Sequence, residues 1–226
     1  MNAVVTGAGS GIGRAIALKL AARGNDIALL GRSDDALNEV ASEVRALGRK
    51  ALPIHCNVAD ASEVAHSAAV VLAELGSPRV VVSNAGVAHR ADVVTMNESD
   101  WDEVVDVNLK GAFLLARAFL PKMIERKNGR IVTISSISGT FGTARMTAYC
   151  ASKWGLIGFT KALAEELRGT GLQAICLMPG SVDTAMLVGS GFAPDMTPEE
   201  VAGLVAYAAL DAPDAMNGSA IEMFGP

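Results

Sequence analysis

The sequence predicts an α/β fold: a doubly wound, seven-stranded parallel sheet with helices on both faces. Three observations carry that prediction. Short apolar runs rich in β-branched residues alternate with helical stretches along the whole chain, a pattern that joins parallel strands through crossover helices. The runs are nearly continuously apolar, as in Val80-Val81-Val82, which suits a sheet covered on both sides. Between the first strand and the first helix stand Gly7, Gly9, Gly11 and Gly13, a turn that brings main-chain N–H groups close to a bound phosphate.

In chain order, the first strand is 3–6, and the glycine turn opens a helix over 12–23. A strand at 26–30 follows, then a helix over 34–47 whose Asp34 and Asp35 suit a helix N-terminus. Strand 51–56 leads to helix 61–75, and strand 79–83 to a long helix over 100–126. Strand 130–135 precedes helix 147–168, and strand 173–178 precedes helix 198–210. That last helix starts at Thr197-Pro198-Glu199-Glu200, with a Thr N-cap, Pro at the first helical position and Glu at the third. Strand 219–223 completes the sheet. No linker, repeat or low-complexity tract divides the 226 residues, so residues 1–226 read as one dinucleotide-binding and catalytic domain.

Composition narrows the function classes. A net charge of −5 offers no basic footprint for nucleic acid, and no apolar run reaches the roughly 18–20 residues of a membrane span. Met1 runs straight into the first strand without a signal peptide. Cys56, Cys150 and Cys176 form no CxxC pair and read as reduced thiols, which places the protein in the cytoplasm. His55, His66 and His89 lack metal-ligand spacing, so no metal is expected.

At the end of the second strand, dinucleotide folds that select NAD carry an acidic residue. Here Arg32 and Ser33 stand instead, and a guanidinium beside a hydroxyl suits the 2′-phosphate of NADP. The expected cofactor is NADP(H), with NAD(H) possible.

Tyr149 and Lys153 lie four residues apart, on one face of a helix. An unperturbed phenol titrates at about 10; a neighbouring ammonium lowers that value and brings the group toward the range of a general acid.

With these residues assembled, the chain resembles the short-chain dehydrogenase/reductase family, a Rossmann-fold family, over almost its whole length. Thr6-Gly7-Ala8-Gly9-Ser10-Gly11-Ile12-Gly13 matches its TGxxxGxG cofactor motif. Asn84-Ala85-Gly86 matches the NAG motif after the fourth strand, and Asn57-Val58 the pair beside the adenine. Asn108, Ser136, Tyr149 and Lys153 match the catalytic set, with Ser135 a neighbouring alternative to Ser136. Pro179-Gly180-Ser181-Val182-Asp183-Thr184 matches the PG motif whose backbone and threonine meet the nicotinamide. The resemblance implies hydride transfer to a ketone or 3-oxoacyl group, with Tyr149 the proton donor. It further implies that Lys153 tunes the phenol and bonds the nicotinamide ribose, that Ser136 donates to the substrate oxygen, and that Asn108 holds a water linking Lys153 to solvent. Two departures stand out. Ser10 occupies a position where NADP-using members often carry a basic residue, and Gly218-x-x-Ile221 enters the last strand without the common Asp-Gly-Gly ending.

The substrate end is less defined. Residues 185–196 mix Gly, Pro and large apolar side chains such as Met186, Leu187, Val188 and Phe192, a composition suited to a lid over an apolar pocket. Lys122, Arg126, Lys127, Arg130 and Arg168 would be the basic surface for an acyl carrier protein, if the substrate is an acyl thioester. Residues 111–120 and 148–164 are apolar nearly all round, which predicts burial in a homo-oligomer, a dimer or tetramer. The alternative from another class is a non-catalytic NADP-binding sensor or scaffold on the same fold.

Overall fold

The computed structural model describes residues 1–225 and contains one parallel sheet. Its strands are β1 Asn2–Thr6, β2 Asp26–Gly31, β3 Ala51–His55, β4 Val80–Ser83, β5 Gly129–Ile134, β6 Leu172–Pro179 and β7 Ala220–Met223. They lie in the order β3-β2-β1-β4-β5-β6-β7, every pair parallel. Seven α-helices connect them: α1 Gly11–Ala22, α2 Asp34–Ala46, α3 Ala61–Glu74, α4 Glu98–Val105, α5 Gly111–Arg126, α6 Thr147–Glu166 and α7 Pro198–Leu210.

Period-two alternation divides the apolar strands between two cores. Ala3 and Val5 of β1, Ile27 and Leu29 of β2, and Val80 and Val82 of β4 face α1, α2 and α7. Val4, Ala28, Leu30 and Val81 face α3, α5 and α6. All ten are fully buried, which for a Val or Leu stabilises by about 1.5–3 kcal/mol each. Strand order reverses between β1 and β4, so the loops leaving those two strands diverge and open a crevice at their C-terminal ends.

One element departs from expectation. The continuous helix expected over 100–126 is interrupted at Asp106–Lys110 by a π turn. There the Gly111 N–H bonds the Asp106 carbonyl, five residues back instead of four. Asn108 sits in this turn, and its side chain is tied to the main chain of Val87. Gly111 then lets α5 approach the loop after β3, because a Cβ there would lie 2.9 Å from Val58 Cγ2.

Near the C-terminus, α7 starts with the expected capping box. Thr197 Oγ1 accepts from Glu200 N–H at 3.2 Å and the Glu200 carboxylate accepts from Thr197 N–H at 2.7 Å. The segment 185–196 is an excursion pinned at its base. Asp195 and Met196 N–H groups bond the Ser181 carbonyl at 3.0 and 3.1 Å, and Asp183 N–H bonds the Met196 carbonyl at 2.9 Å. Pro226, last residue of the tail read as lacking the Asp-Gly-Gly ending, lies outside the described residues. No described helix is long and apolar enough to cross a membrane.

Candidate active site

The crevice at the β1/β4 ends is a cavity of ≈ 550 Å³. Thr6 joins its two sides. Its hydroxyl donates to the Val82 carbonyl and accepts from the N–H groups of Asn84 and Ala85 at 3.0 and 3.1 Å, while Asn84 Nδ2 donates to the Thr6 carbonyl at 2.9 Å. The turn between β1 and α1 depends on absent side chains. Gly7 is left-handed at φ 63°, and a Cβ on Gly13 would stand 2.1 Å from the Gly7 carbonyl oxygen. Ser10 is the N-cap of α1, yet its side chain caps no N–H and the first turn holds no acid. These free N–H groups and the absence of competing negative charge fit a dinucleotide pyrophosphate.

Of the residues expected to hold a cofactor, Gly7, Ser10, Gly11, Ile12, Gly13, Arg32, Ser33, Asn57, Val58, Asn84, Ala85, Gly86, Tyr149, Lys153 and Thr184 line this cavity. Pro179, Gly180 and Val182 do not. Pro179 ends β6, Gly180 N–H bonds the Met223 carbonyl at 2.8 Å, and Val182 is buried in a bridge to Met196. They shape the turn that delivers Thr184 to the wall.

Arg32 and Ser33, expected to meet the adenosine phosphate, both line the cavity, but each already has a partner. Ser33 Oγ caps α2 by accepting from Ala36 N–H at 3.5 Å. Arg32 Nη1 lies 3.6 Å from Glu103 Oε1, in an exposed pair. Glu103, on α4, also meets His89 Nε2 at 2.7 Å. Sequence reasoning missed Glu103; only the crossing of α4 over the crevice brings it to Arg32.

Of the four catalytic candidates, Tyr149 and Lys153 line the cavity, and Ser136 and Asn108 do not. Tyr149 and Lys153 share one face of α6, with Nζ 5.5 Å from the phenol ring centre. Lys153 Nζ donates to the Ile134 carbonyl at 2.9 Å. Ser136 begins a short 3-10 turn, its Oγ accepting from Ser138 N–H at 3.1 Å, and its hydroxyl is near enough to Tyr149 to favour the phenolate. Ser135, the alternative, lines the cavity where Ser136 does not, but its hydroxyl donates to the Lys153 carbonyl at 2.9 Å. Ser136 is thus the serine whose hydroxyl acts on the phenol.

Asn108 stands behind them. Its Oδ1 accepts from Val87 N–H at 2.8 Å, and its Nδ2 donates to the Val87 carbonyl and to Ser152 Oγ, both at 3.0 Å. Both amide hydrogens are committed, and Ser152 passes the link on by donating to the Tyr149 carbonyl at 2.7 Å. The asparagine side chain therefore braces the loop after β4 against α6. Ser152 went unnoticed in the sequence because a serine inside a helix has no signature of its own.

The electrostatics correct one expectation. Lys153 was expected to lower the Tyr149 pKa; instead burial pushes the phenol up, and the nearby Ser136 hydroxyl and the Arg90 charge only partly offset it. Burial also lowers Lys153 to about 8. Desolvation disfavours both charged forms, and helical spacing carries no information about burial.

Comparison with known proteins shows the family and agrees with the fold. The short chain dehydrogenase family profile matches residues 1–191. A 3-oxoacyl-[acyl-carrier-protein] reductase of Synechocystis is 36% identical over 219 residues, covering 92% of this chain and 89% of the relative. One from Thermotoga maritima is 38% identical over 183 residues, covering 81% and 74%. Among solved structures, a short-chain type dehydrogenase/reductase from Mycobacterium marinum superposes with a TM-score of 0.94 at 32% identity, covering 99% of this chain and 94% of that one. A putative NAD(P)-dependent gluconate 5-dehydrogenase from Beutenbergia cavernae, with NADP bound, gives 0.90 at 36% identity, with 98% and 94% covered. The chain belongs to the short chain dehydrogenase family. It is an oxidoreductase of that family.

Proposed function

We propose that residues 1–226 act as one domain that uses NADPH to reduce a ketone or 3-oxoacyl group to a secondary alcohol, with Tyr149 as general acid. The observation that carries this reading is a buried phenol on the cavity wall, with the Ser136 hydroxyl nearby and the Lys153 ammonium on the same helical face. The names of the reductase relatives and the NADP in the Beutenbergia structure support the cofactor and reaction. Arg32 and Ser33 would meet the 2′-phosphate, the α1 N-terminus the pyrophosphate, Asn57 and Val58 the adenine, and Thr184 the nicotinamide end.

The cofactor supplies the hydride; the protein controls the proton and the charge. Tyr149, held protonated by burial, is ready to donate when negative charge grows on the carbonyl oxygen. Ser136 donates a hydrogen bond toward the same oxygen and stabilises that charge. Lys153, at about 8, is mostly protonated at neutral pH, so its cation is at hand once the phenol has given up its proton. Oxidation in reverse would need the phenolate and should rise with pH, while reduction stays flat through neutrality.

Exposed apolar side chains on the outer helices, Phe113, Ala151 and Trp154, support a homo-oligomer. The free thiols of Cys56, Cys150 and Cys176 suit the cytoplasm. The test is NADPH fluorescence titration followed by turnover of ketones and 3-oxoacyl thioesters. Tyr149→Phe should lower turnover by about 10²–10⁴-fold with NADPH affinity kept. Binding without turnover of any carbonyl in the wild type would instead support an NADP sensor.

A further inference from the structure

The loop after β4 presents a cation that the reaction above does not use. Arg90 Nη2 donates to the Met186 carbonyl at 3.1 Å, and Met186 lines the cavity at the root of the 185–196 excursion. The guanidinium is close enough to Tyr149 for its charge to favour the phenolate. The loop is fixed on both sides of it. Asn108 grips Val87 before Arg90, and Ala91 N–H after it bonds the carbonyl of Arg145, four residues before Tyr149, at 3.1 Å.

No ion pair among the described residues includes Arg90, although its neighbour His89 and Arg32 across the crevice both pair with Glu103. Arginine offers five N–H donors in a planar fork that matches two carboxylate oxygens. One of those donors is assigned here to protein. A half-buried guanidinium without a counter-charge, beside a general acid and against Met186, is a receptor for an anion.

We propose that Arg90 receives a carboxylate on the substrate, so that the ketone reduced here belongs to an oxo acid and the product is a hydroxy acid. This rests on the reductase reading above and narrows its substrate class. The bond changes are those of that reaction: hydride to the carbonyl carbon, the Tyr149 proton to its oxygen, the carboxylate unchanged throughout. A single guanidinium matches a single negative charge, and the fork would fix which face of the ketone meets the hydride donor.

The test compares kcat/KM with NADPH for 2-, 4- and 5-oxo acids against the methyl esters of the same chains, in the wild type, R90Q and R90L. At least one oxo acid should exceed its ester in the wild type. Both variants should lose about 10- to 100-fold on that acid, the range of a charged hydrogen bond, while the ester stays within about twofold. Gln keeps an amide donor for the Met186 carbonyl, so R90Q separates charge recognition from support of the excursion. Equal loss on acid and ester would make Arg90 a support and overturn the proposal. So would a wild type that prefers esters or 3-oxoacyl thioesters to every oxo acid, with the reductase reading intact. A wild type that binds NADPH yet reduces none of these carbonyls would remove the reductase reading, and this inference with it.

Discussion

The two ends of the crevice are built from different materials. At the glycine-turn end, where the dinucleotide is proposed to lie, the structure is main chain: glycines packed against carbonyls, and Thr6 clamping β1 to β4. Toward the proposed substrate end it is side chain: Tyr149 on the cavity wall, with Ser136, Arg90 and the exposed Val188 and Phe192 of the 185–196 excursion around it. Main-chain architecture admits few sequences, because an added Cβ has nowhere to go. Side-chain architecture on an exposed loop admits many. The first end therefore identifies a family, and the second chooses a substrate within it.

The sharpest break of that contrast is a pair of Gly→Ala changes. Gly13→Ala puts a Cβ 2.1 Å from the Gly7 carbonyl oxygen and should cost about 3 kcal/mol of stability, together with most NADPH affinity. Gly142→Ala, beyond Ser136 with nothing within 4 Å of the new atom, should leave melting temperature and affinity unchanged. Equal effects at the two positions would dissolve the distinction.

Lys153 bridges the ends and is readable through pH. Its folded pKa, about 8 against 10.5, lies below the unfolded one, so the folded state holds this proton less tightly. The burial penalty is therefore fully present below about pH 8 and is relieved as pH rises toward 10.5. Measured by urea unfolding, the wild type should gain on the order of 3 kcal/mol relative to Lys153→Met over that window. A constant difference would mean that Lys153 is not buried as a cation.

The smallest expected effect is at Arg32. Glu103→Gln removes its exposed partner and should tighten NADPH about two- to fivefold, the scale of a surface ion pair, leaving NADH unchanged. Weaker NADPH binding in this variant would mean that Glu103 orients Arg32 for the phosphate.

Much of this was legible in the sequence, for reasons that differ by residue. All seven strands could be placed because buried β-branched runs alternate with helices, and the TGxxxGxG turn because only glycine fits there. The four-residue spacing correctly put Tyr149 and Lys153 on one face of α6. Desolvation was not legible, since it depends on what packs over a helix and not on the helix itself; the direction of the Tyr149 pKa was missed for that reason. Glu103 and Ser152 were missed because their partners, Arg32 and Asn108, are 71 and 44 residues away. The break inside the 100–126 helix carried no Gly or Pro to announce it at Asn108.

That break also sets an angular phase. A residue in an α-helix turns its successor by about 100°, and a π turn holds one residue more than the α-helical count. Everything after Asp106–Lys110 is thereby rotated relative to α4. Leu115, Phe119 and Met123 are buried in that rotated frame, while Phe113, Arg117 and Ile124 point outward. Straightening 106–110 into α-helix with every residue kept would swing the outward set toward the sheet. The asparagine brace and the hydrophobic seam of α5 keep each other in phase, so the site cannot lose its bulge without the core losing its register.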